Sequence, residues 1–140
     1  ALSLQELGKY VWLVQEVMCF SIIGPEVDEF DSCGNTQKLT GWCFEAARGA
    51  RGYAPSSVPT TKGKWCLPAA GVGQSILDKI NSGFSKAGGE KLPRLNFHDA
   101  HGHWLSEGYD ANALFLNYSA NAIGFGAFDN YLYVRPVLAF

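Results

Sequence analysis

The chain has 140 residues, of which 47% are hydrophobic and 17% are charged. This composition excludes a disordered chain and is sufficient for a buried core, so we assign residues 1–140 to a single domain. The formal net charge is −2 and no run of basic residues occurs, which argues against nucleic acid as a partner. The longest apolar stretch, Tyr10–Ile23, is shorter than the roughly 20 residues that cross a bilayer, so we expect no membrane insertion.

The N-terminal part predicts a short helical turn followed by extended chain. Leu2–Lys9 opens with Ser3 and carries Glu6 three residues later, which is typical of a helix N-terminus. Tyr10–Ile23 places large apolar side chains at alternate positions, which predicts one or two long strands.

Two helices are predicted in the middle of the chain. The first is capped by Asn35 or Thr36 and extends to about Ala50. The second covers roughly Val72–Lys86, where apolar side chains recur at helical spacing. Gly and Pro residues between them indicate a loop.

Short strands are predicted at Lys64–Pro68, Ala113–Tyr118 and Tyr131–Val137, the last two joined by a Gly- and Asn-containing loop. Early helices with strands at both ends of the chain indicate an α+β fold. We expect the first strand to pair with the last.

The cysteines Cys19, Cys33, Cys43 and Cys66 lack the close pairs that a structural zinc site uses. Two disulfides are possible in an exported protein, with three connectivities. Because Cys19 and Cys43 have apolar neighbours, the pattern favours free, mostly buried thiols.

The composition changes at Pro93. Lys, Gln, Glu, Met and Trp supply 21 of the first 92 residues, but only Trp104 and Glu107 in residues 93–140. The same segment holds 5 of the 7 Asn, all three His and 10 of the 19 aromatic residues. Codons that end in a pyrimidine cannot encode those five depleted types, so the bias is expected if many codons descend from AAC randomised at its adenines. A segment rich in strands and loops would explain part of the depletion without that history.

Four motifs carry a resemblance to a known family: Lys64–Gly71 (KWCLPAAG), Ile80–Gly89 (INSGFSKAGG), Trp104–Ser106 (WLS) and Tyr133–Phe140 (YVRPVLAF). Across about residues 28–140 the chain resembles the variable proteins of diversity-generating retroelements. The resemblance implies a C-type lectin fold of the formylglycine-generating-enzyme type, with two helices packed on short antiparallel strands and with paired N- and C-terminal strands. The implied scaffold positions are Trp104, Ser106, Tyr109, Ala113, Leu116, Tyr118, Ile123 and Tyr133–Val137. The chain departs from the family pattern at Leu105, at Glu107–Gly108 and at Leu114.

The resemblance also implies a hypervariable, ligand-binding region over about residues 95–133. Its candidate positions lie between the scaffold residues: Asp110, Asn112, Phe115, Asn117, Gly124, Phe125, Gly126, Ala127, Asp129, Asn130, Tyr131 and Leu132. Upstream candidates are Phe97, His98 and His101. Tyr and Phe with Asn, Asp and Gly are also the residues that antibody-type binding loops use.

These positions predict that residues 105–132 lie mostly at the surface, whereas Trp104, Leu116, Tyr118 and Val134 are buried. Phe125 and Phe128 fall in a Gly-rich segment that we interpret as a loop, and either both face the ligand or Phe128 anchors the loop to the core.

The implied function is binding of a protein or cell-surface receptor, at a phage virion or a microbial cell surface. The alternative is a structural or adhesin module of a larger surface protein that is not diversified. A third reading is a small enzyme of the same fold, but the reactive cysteines of the enzymatic relatives lie in the C-terminal part, and all four here precede residue 67. We therefore expect no catalytic residues and no cofactor.

The three histidines cluster at His98, His101 and His103, where Asp99 could join them around a metal. Their spacing matches neither a helical pair nor a common zinc finger, so we expect exposed loop histidines and no metal. A lectin-type calcium site is not indicated either, because Trp104 is followed by Leu105.

Overall fold

The computed structural model describes residues 6–14, 28–81, 102–109, 112–118, 120 and 122–138. This part of the chain forms a mixed α+β structure, which confirms the predicted fold class. Its helices are α1 (Ser32–Lys38), α2 (Glu45–Gly52) and α3 (Ala70–Asn81), with one 3-10 turn at Pro59–Thr61. Its strands are β1 (Lys9–Tyr10), β2 (Trp65–Cys66), β3 (His103–Tyr109), β4 (Asn112–Asn117), β5 (Ala122–Ala127), β6 (Leu132–Tyr133) and β7 (Val137–Leu138).

The strands form a five-stranded sheet in the order β1-β6-β3-β4-β5 and a two-stranded sheet of β2 and β7. All pairs are antiparallel except β3 with β6. Lys9 lies opposite Tyr133 and Tyr10 opposite Leu132, so the first strand pairs with β6, which falls within the predicted strand Tyr131–Val137. The last strand of the structure, β7, pairs with β2 instead. The topology thus places β1 at one edge of the five-stranded sheet, beside β6.

The N-terminal predictions are wrong where they fall on described residues. Lys9 is in a strand rather than a helical turn, and β1 ends at Tyr10. Trp12 and Leu13 are consecutive and both buried, so the alternation expected of a long strand fails there. Residues 1–5 and 15–27, which complete the predicted turn and strand, lie outside the described residues.

The predicted helix from Asn35 or Thr36 to Ala50 is two helices, α1 and α2. The break follows from Gly41, which has a positive φ of 93° that residues with a side chain rarely adopt. Arg51 of α2 reaches back and donates from Nη1 to two carbonyl oxygens at the end of α1, each at 2.9 Å. The N-cap of α1 is Asp31, whose Oδ1 accepts from the backbone N–H of Gly34 at 2.8 Å.

The second predicted helix is confirmed as α3, although it begins at Ala70 rather than Val72. It ends at Asn81, and the rest of the predicted range lies outside the described residues. Leu77 of α3 packs against Leu105, Leu114 and Leu116 of the sheet, which forms one of the two buried apolar clusters.

The larger apolar cluster lies on the opposite face of the sheet and includes Trp12, Phe44, Trp104 and Phe128. The ring of Phe128 stacks on that of Trp12, with centroids 5.0 Å apart and planes at 17°. Phe128 therefore anchors this segment in the core and does not face a ligand.

The segment that contains Gly124 and Gly126 is a strand, β5, and not a loop. Both glycines lie against aromatic rings: a Cβ at Gly126 would be 3.2 Å from the Trp104 ring, and one at Gly124 would be 3.1 Å from Phe115. Glycine in a strand often marks such a close approach. The glycines that suggested a loop are thus needed for packing within a strand.

The prediction of free thiols is also wrong. Cys33 of α1 and Cys66 of β2 form a disulfide with Cα atoms 5.2 Å apart, and Cys43 is disulfide-bonded too. Cys19 lies outside the described residues. Buried apolar surroundings suit a disulfide as well as a thiol, so the neighbours of a cysteine in sequence could not distinguish the two.

Candidate ligand-binding surface

Several predicted site residues meet at one end of the five-stranded sheet. Asn112 at the start of β4 lies opposite Ala127 at the end of β5. A turn follows, in which the N–H of Asn130 donates to the carbonyl oxygen of Ala127 at 3.0 Å. Asp129, Asn130 and Tyr131 are consecutive and exposed, as is Asn112. We call Asn112, Ala127, Asp129, Asn130 and Tyr131 the sheet-end surface.

The sheet-end surface combines polar groups with an aromatic ring. The Tyr131 side chain is 62% exposed, so its ring and its hydroxyl are both accessible to a ligand. Asn and Asp supply hydrogen-bond donors and acceptors, and Tyr supplies rigid contact area. Such a surface can recognise another macromolecule. All five of its residues belong to the ligand-binding positions predicted from the sequence.

Phe125 is the other large exposed aromatic residue of the predicted set, at 68%. It lies on β5 opposite Leu114, two residues before Ala127 and on the same face of the strand. It therefore borders the sheet-end surface.

Other predicted positions do not belong to this surface. Gly126 and Leu132 are buried, which corrects the expectation that they are exposed. Phe115 is partly buried beneath the β5 glycines, and Gly124 is one of them. Asn117 lies at the far end of β4, where its Oδ1 accepts from the Ala120 N–H at 3.1 Å. Asp110, Phe97, His98 and His101 lie outside the described residues.

A buried framework supports the sheet-end surface. The carbonyl oxygen of Phe128 accepts from the N–H groups of Trp12 and Leu13 at 3.0 and 3.2 Å, which fixes the start of the turn. The Trp104 indole donates to the Tyr10 carbonyl oxygen at 2.7 Å, and the Trp12 indole donates to that of Leu105 at 2.9 Å. The scaffold predictions for Trp104, Leu116 and Val134 are confirmed as buried, whereas Tyr118 is only partly buried.

The prediction that residues 105–132 lie mostly at the surface fails in β3. Leu105, Ser106 and Glu107 are all buried, because a register shift between Trp104 and Gly108 interrupts the alternation of faces. Leu114 is also buried, against α3.

Glu107 is a buried carboxylate that the sequence analysis treated only as a departure from the family pattern. Its Oε1 accepts from the Ala70 N–H at the start of α3 at 2.8 Å, and its Oε2 accepts from the Ser106 hydroxyl at 3.1 Å. Asn35 of α1 donates to the same hydroxyl at 3.1 Å. Burial raises the pKa of Glu107, although these hydrogen bonds lower it. One signal was present in the sequence, since Glu107 is the only Glu after residue 92.

His103 is the one histidine that the described residues contain, and it is buried in β3 rather than exposed in a loop. Its Nε2 lies 2.5 Å from Oε2 of Glu6 and its Nδ1 lies 2.6 Å from the Tyr118 hydroxyl. A neutral imidazole satisfies both contacts, with Nε2–H donating to Glu6 and Tyr118 donating to Nδ1.

The protonation states of this pair follow from the surroundings. Burial lowers the pKa of His103, with a contribution from Arg135, and this outweighs the opposite effect of Glu6. Burial raises the pKa of Glu6, but His103 and Arg135 lower it by more. Both nitrogens of His103 are engaged, so it could bind a metal only by breaking these contacts. Within the described residues no group of three or more His, Cys, Asp or Glu could hold a metal ion.

Comparison with family models, curated proteins and solved structures finds no match to this chain. Among the helices that the structure describes, none is long and apolar enough to cross a membrane.

Proposed function

We propose that this chain is a ligand-binding domain of C-type lectin fold whose exposed positions are diversified by a retroelement. The ligand is a protein or a cell-surface receptor, and the sheet-end surface makes the contacts. The function is binding and not catalysis.

The observation that carries the proposal joins the amino-acid bias after Pro93 to the burial of two side chains. Trp104 and Glu107 are the two residues after Pro93 that a pyrimidine-ending codon cannot encode. Both are buried, at 0% and 1% exposure, and both hold other elements in place by hydrogen bonds. A process that randomises surface codons and leaves the framework alone would produce this distribution, whereas a general shortage of these residue types has no reason to spare the core.

The exposed residues of the sheet-end surface support the proposal that surface positions are diversified. Asn112, Asp129, Asn130 and Tyr131 are all types that randomised AAC codons can specify, and Asn is what the unaltered codon specifies. They surround a turn whose backbone is fixed by Phe128, so side chains can change without altering the loop. A rigid support with exchangeable side chains is what a diversified binding surface needs.

Disulfide bonding bears on the setting of the protein. Disulfides form and persist outside the reducing cytosol, and both Cys33–Cys66 and Cys43 are oxidised. Of the two settings, a microbial cell surface reached by export therefore fits better than a virion assembled in the cytosol.

Sequencing of the gene and its flanks tests the proposal. We expect a second, partial copy of the segment that encodes about residues 95–133, differing from the gene mainly where the copy has adenine. The codons of Trp104 and Glu107 should be identical in both copies. The absence of such a copy, or differences spread equally over framework codons, would favour the non-diversified structural module instead.

Binding measurements provide a second test once a partner is known. Tyr131→Ala should weaken binding by about 2 kcal/mol, a typical loss for an interfacial aromatic anchor. Lys62→Ala, an exposed change in the loop before β2, is the control and should leave the affinity unchanged.

A further inference from the structure

β5 is the outermost strand of the five-stranded sheet, and none of the other strands in the described part of the chain pairs with its outer side. Its six residues remain in continuous register with β4, from Ala122 opposite Asn117 to Ala127 opposite Asn112. It has no charged residue, no proline and no bulge, which are the features that keep natural edge strands from pairing. Alternate backbone N–H and C=O groups of such a strand point outwards and can bind another strand.

Two apolar side chains of β5 share the face that packs on α3. Ile123 and Phe125 lie opposite Leu116 and Leu114, and both leucines pack in the cluster around Leu77 of α3. Ile123 is partly buried there, whereas Phe125 is 68% exposed. The ring of Phe125 therefore lies at the sheet edge, on the α3 side.

A groove of about 410 Å³ opens on this same face, between α3 and Ile123. Gly71 and Gln74 of α3 line the groove, and so do Glu29 and Phe30, which precede α1. Phe30 is itself 68% exposed and lies so close to Gly71 that a Cβ there would be 2.4 Å from its ring. The chain thus presents an exposed aromatic ring and an open apolar groove on either side of one residue, Ile123.

We propose that two copies of this chain pair antiparallel through β5, so that Phe125 of each copy fills the groove of the other. The two-fold axis passes through Gly124 at right angles to the sheet, which keeps the α3 faces of both copies on the same side. Antiparallel neighbours on one face then bring Ile123 opposite Phe125 of the second copy, with Cβ atoms about 4.5–5.5 Å apart. That ring lies beside Phe30 and covers the groove.

The symmetry of the strand favours a second copy over an unrelated peptide. In a two-fold interface only a residue close to the axis lies near its own copy, so any charge there would face a like charge. β5 has none. On the other face the axis brings Gly124 opposite Gly124 and Ala122 opposite Gly126, so small residues meet there. The Phe125 ring of each copy then contacts the groove of the other copy, so this contact occurs twice in the interface.

This inference does not depend on the proposed ligand, but it requires residue 125 to keep its ring and therefore to stand outside the diversified positions. It assigns Phe125 to the second copy and leaves the sheet-end surface for the ligand. The dimer has one continuous sheet and carries one sheet-end surface at each of its two opposite ends.

Sedimentation velocity over a roughly hundredfold range of concentration tests the dimer. We expect the protein to pass from monomer to dimer as the concentration rises. Phe125→Lys should raise the dimer Kd by at least about tenfold, because it introduces like charges at the axis and removes the ring. Its melting temperature should match that of the native monomer, which separates lost pairing from lost folding. Trp42→Lys, the same change at an exposed aromatic outside both sheets, should leave the dimer intact.

Two further measurements address the geometry. Phe30→Ala should raise the dimer Kd several-fold, because the ring from the second copy loses its neighbour in the groove. Hydrogen exchange at residues 122–127 should slow as the concentration rises, whereas exchange in α2 should not change. A monomer at every concentration, or a dimer that survives Phe125→Lys, would overturn the proposal. An unchanged dimer in Phe30→Ala would overturn the register about Gly124.

Discussion

Trp104–Glu107 of β3 and Asp129–Tyr131 of the turn after β5 belong to the same compositionally biased segment, but they differ in every structural respect. The four residues of β3 are all buried, and their side chains and backbone hold α3, β1 and the core in place. The three residues of the turn are all exposed, and the neighbouring Phe128 fixes their backbone from below. A bias in composition therefore does not by itself identify exposed positions. The two residues of this segment that belong to the depleted types, Trp104 and Glu107, are both buried.

The largest expected effect is at Trp104. Trp104→Ala should lower the free energy of unfolding by roughly 3–5 kcal/mol, because it leaves a cavity in the core and removes the hydrogen bond to Tyr10. Thermal or urea unfolding measures the loss. Tyr131→Ala, an aromatic truncation in the exposed turn, is the matched control, and equal losses at the two positions would break the comparison.

Glu107→Ala should cost about 2–3 kcal/mol, because the N–H of Ala70 and the hydroxyl of Ser106 lose their acceptor inside the protein. Glu107→Gln should cost less, since one amide oxygen can still accept from Ala70 and no buried charge remains. Urea unfolding of both variants checks this order. If Asp129→Ala were as destabilising as Glu107→Ala, burial would not distinguish the two carboxylates.

The third prediction concerns pH. Burial holds the pKa of His103 below its ordinary value of 6.5, so the folded state binds this proton less readily than the unfolded state. The stability that neutral His103 contributes is therefore fully present above about pH 6.5, and it is lost as the pH falls through the pKa of His103 in the folded state. Glu6, whose pKa is also lowered, adds a further loss below its ordinary value of 4.5. Glu107 acts in the opposite direction, because its raised pKa makes the folded state bind its proton more readily on acidification.

Melting temperatures between about pH 7 and pH 5 measure the sum of these effects. His103→Gln should flatten the decline in this range, because it removes the group that the unfolded state protonates first. A decline that persists unchanged in His103→Gln would show that some other group is responsible.

The smallest effects are expected in the turn. Asp129→Ala, Asn130→Ala and Tyr131→Ala should each change the free energy of unfolding by less than about 0.5 kcal/mol, as at ordinary surface positions. Unfolding curves of the three variants test this. A loss above 1 kcal/mol at any of them, well outside that range, would mean that the turn belongs to the framework.

Patterns with strong local causes were predictable from the sequence. The periodicity of α3 and the burial of Trp104 and Leu116 are confirmed, and so is the α+β class. Each depends on apolar spacing or on a motif that is continuous along the chain.

The errors arose where distant residues decide the structure. The β5 glycines resemble a loop until the rings of Trp104 and Phe115 are known to lie against them. The end of α1 depends on Arg51, whose reach across a bend no local pattern shows. The disulfide between Cys33 and Cys66 likewise joins residues 33 positions apart.

The same distinction between local patterns and distant contacts explains which residues of the candidate surface are predictable. Asn112, Asp129, Asn130 and Tyr131 are exposed neighbours as expected, because turn residues and strand ends can be recognised locally. Gly126 and Leu132 were misplaced because their burial depends on Trp104 and on pairing with β1. His103 seemed part of an exposed cluster, and only its contacts with Glu6 and Tyr118 explain its position.

The two glycines of β5 have a consequence for how this sequence can evolve. A Cβ at Gly124 would be 3.1 Å from the ring of Phe115, and one at Gly126 would be 3.2 Å from that of Trp104 and 3.3 Å from that of Phe115, so these rings would have to shift slightly. A smaller residue at 115 would make room for a side chain at either position. Among related sequences, residue size at 115 should therefore vary inversely with residue size at 124 and 126.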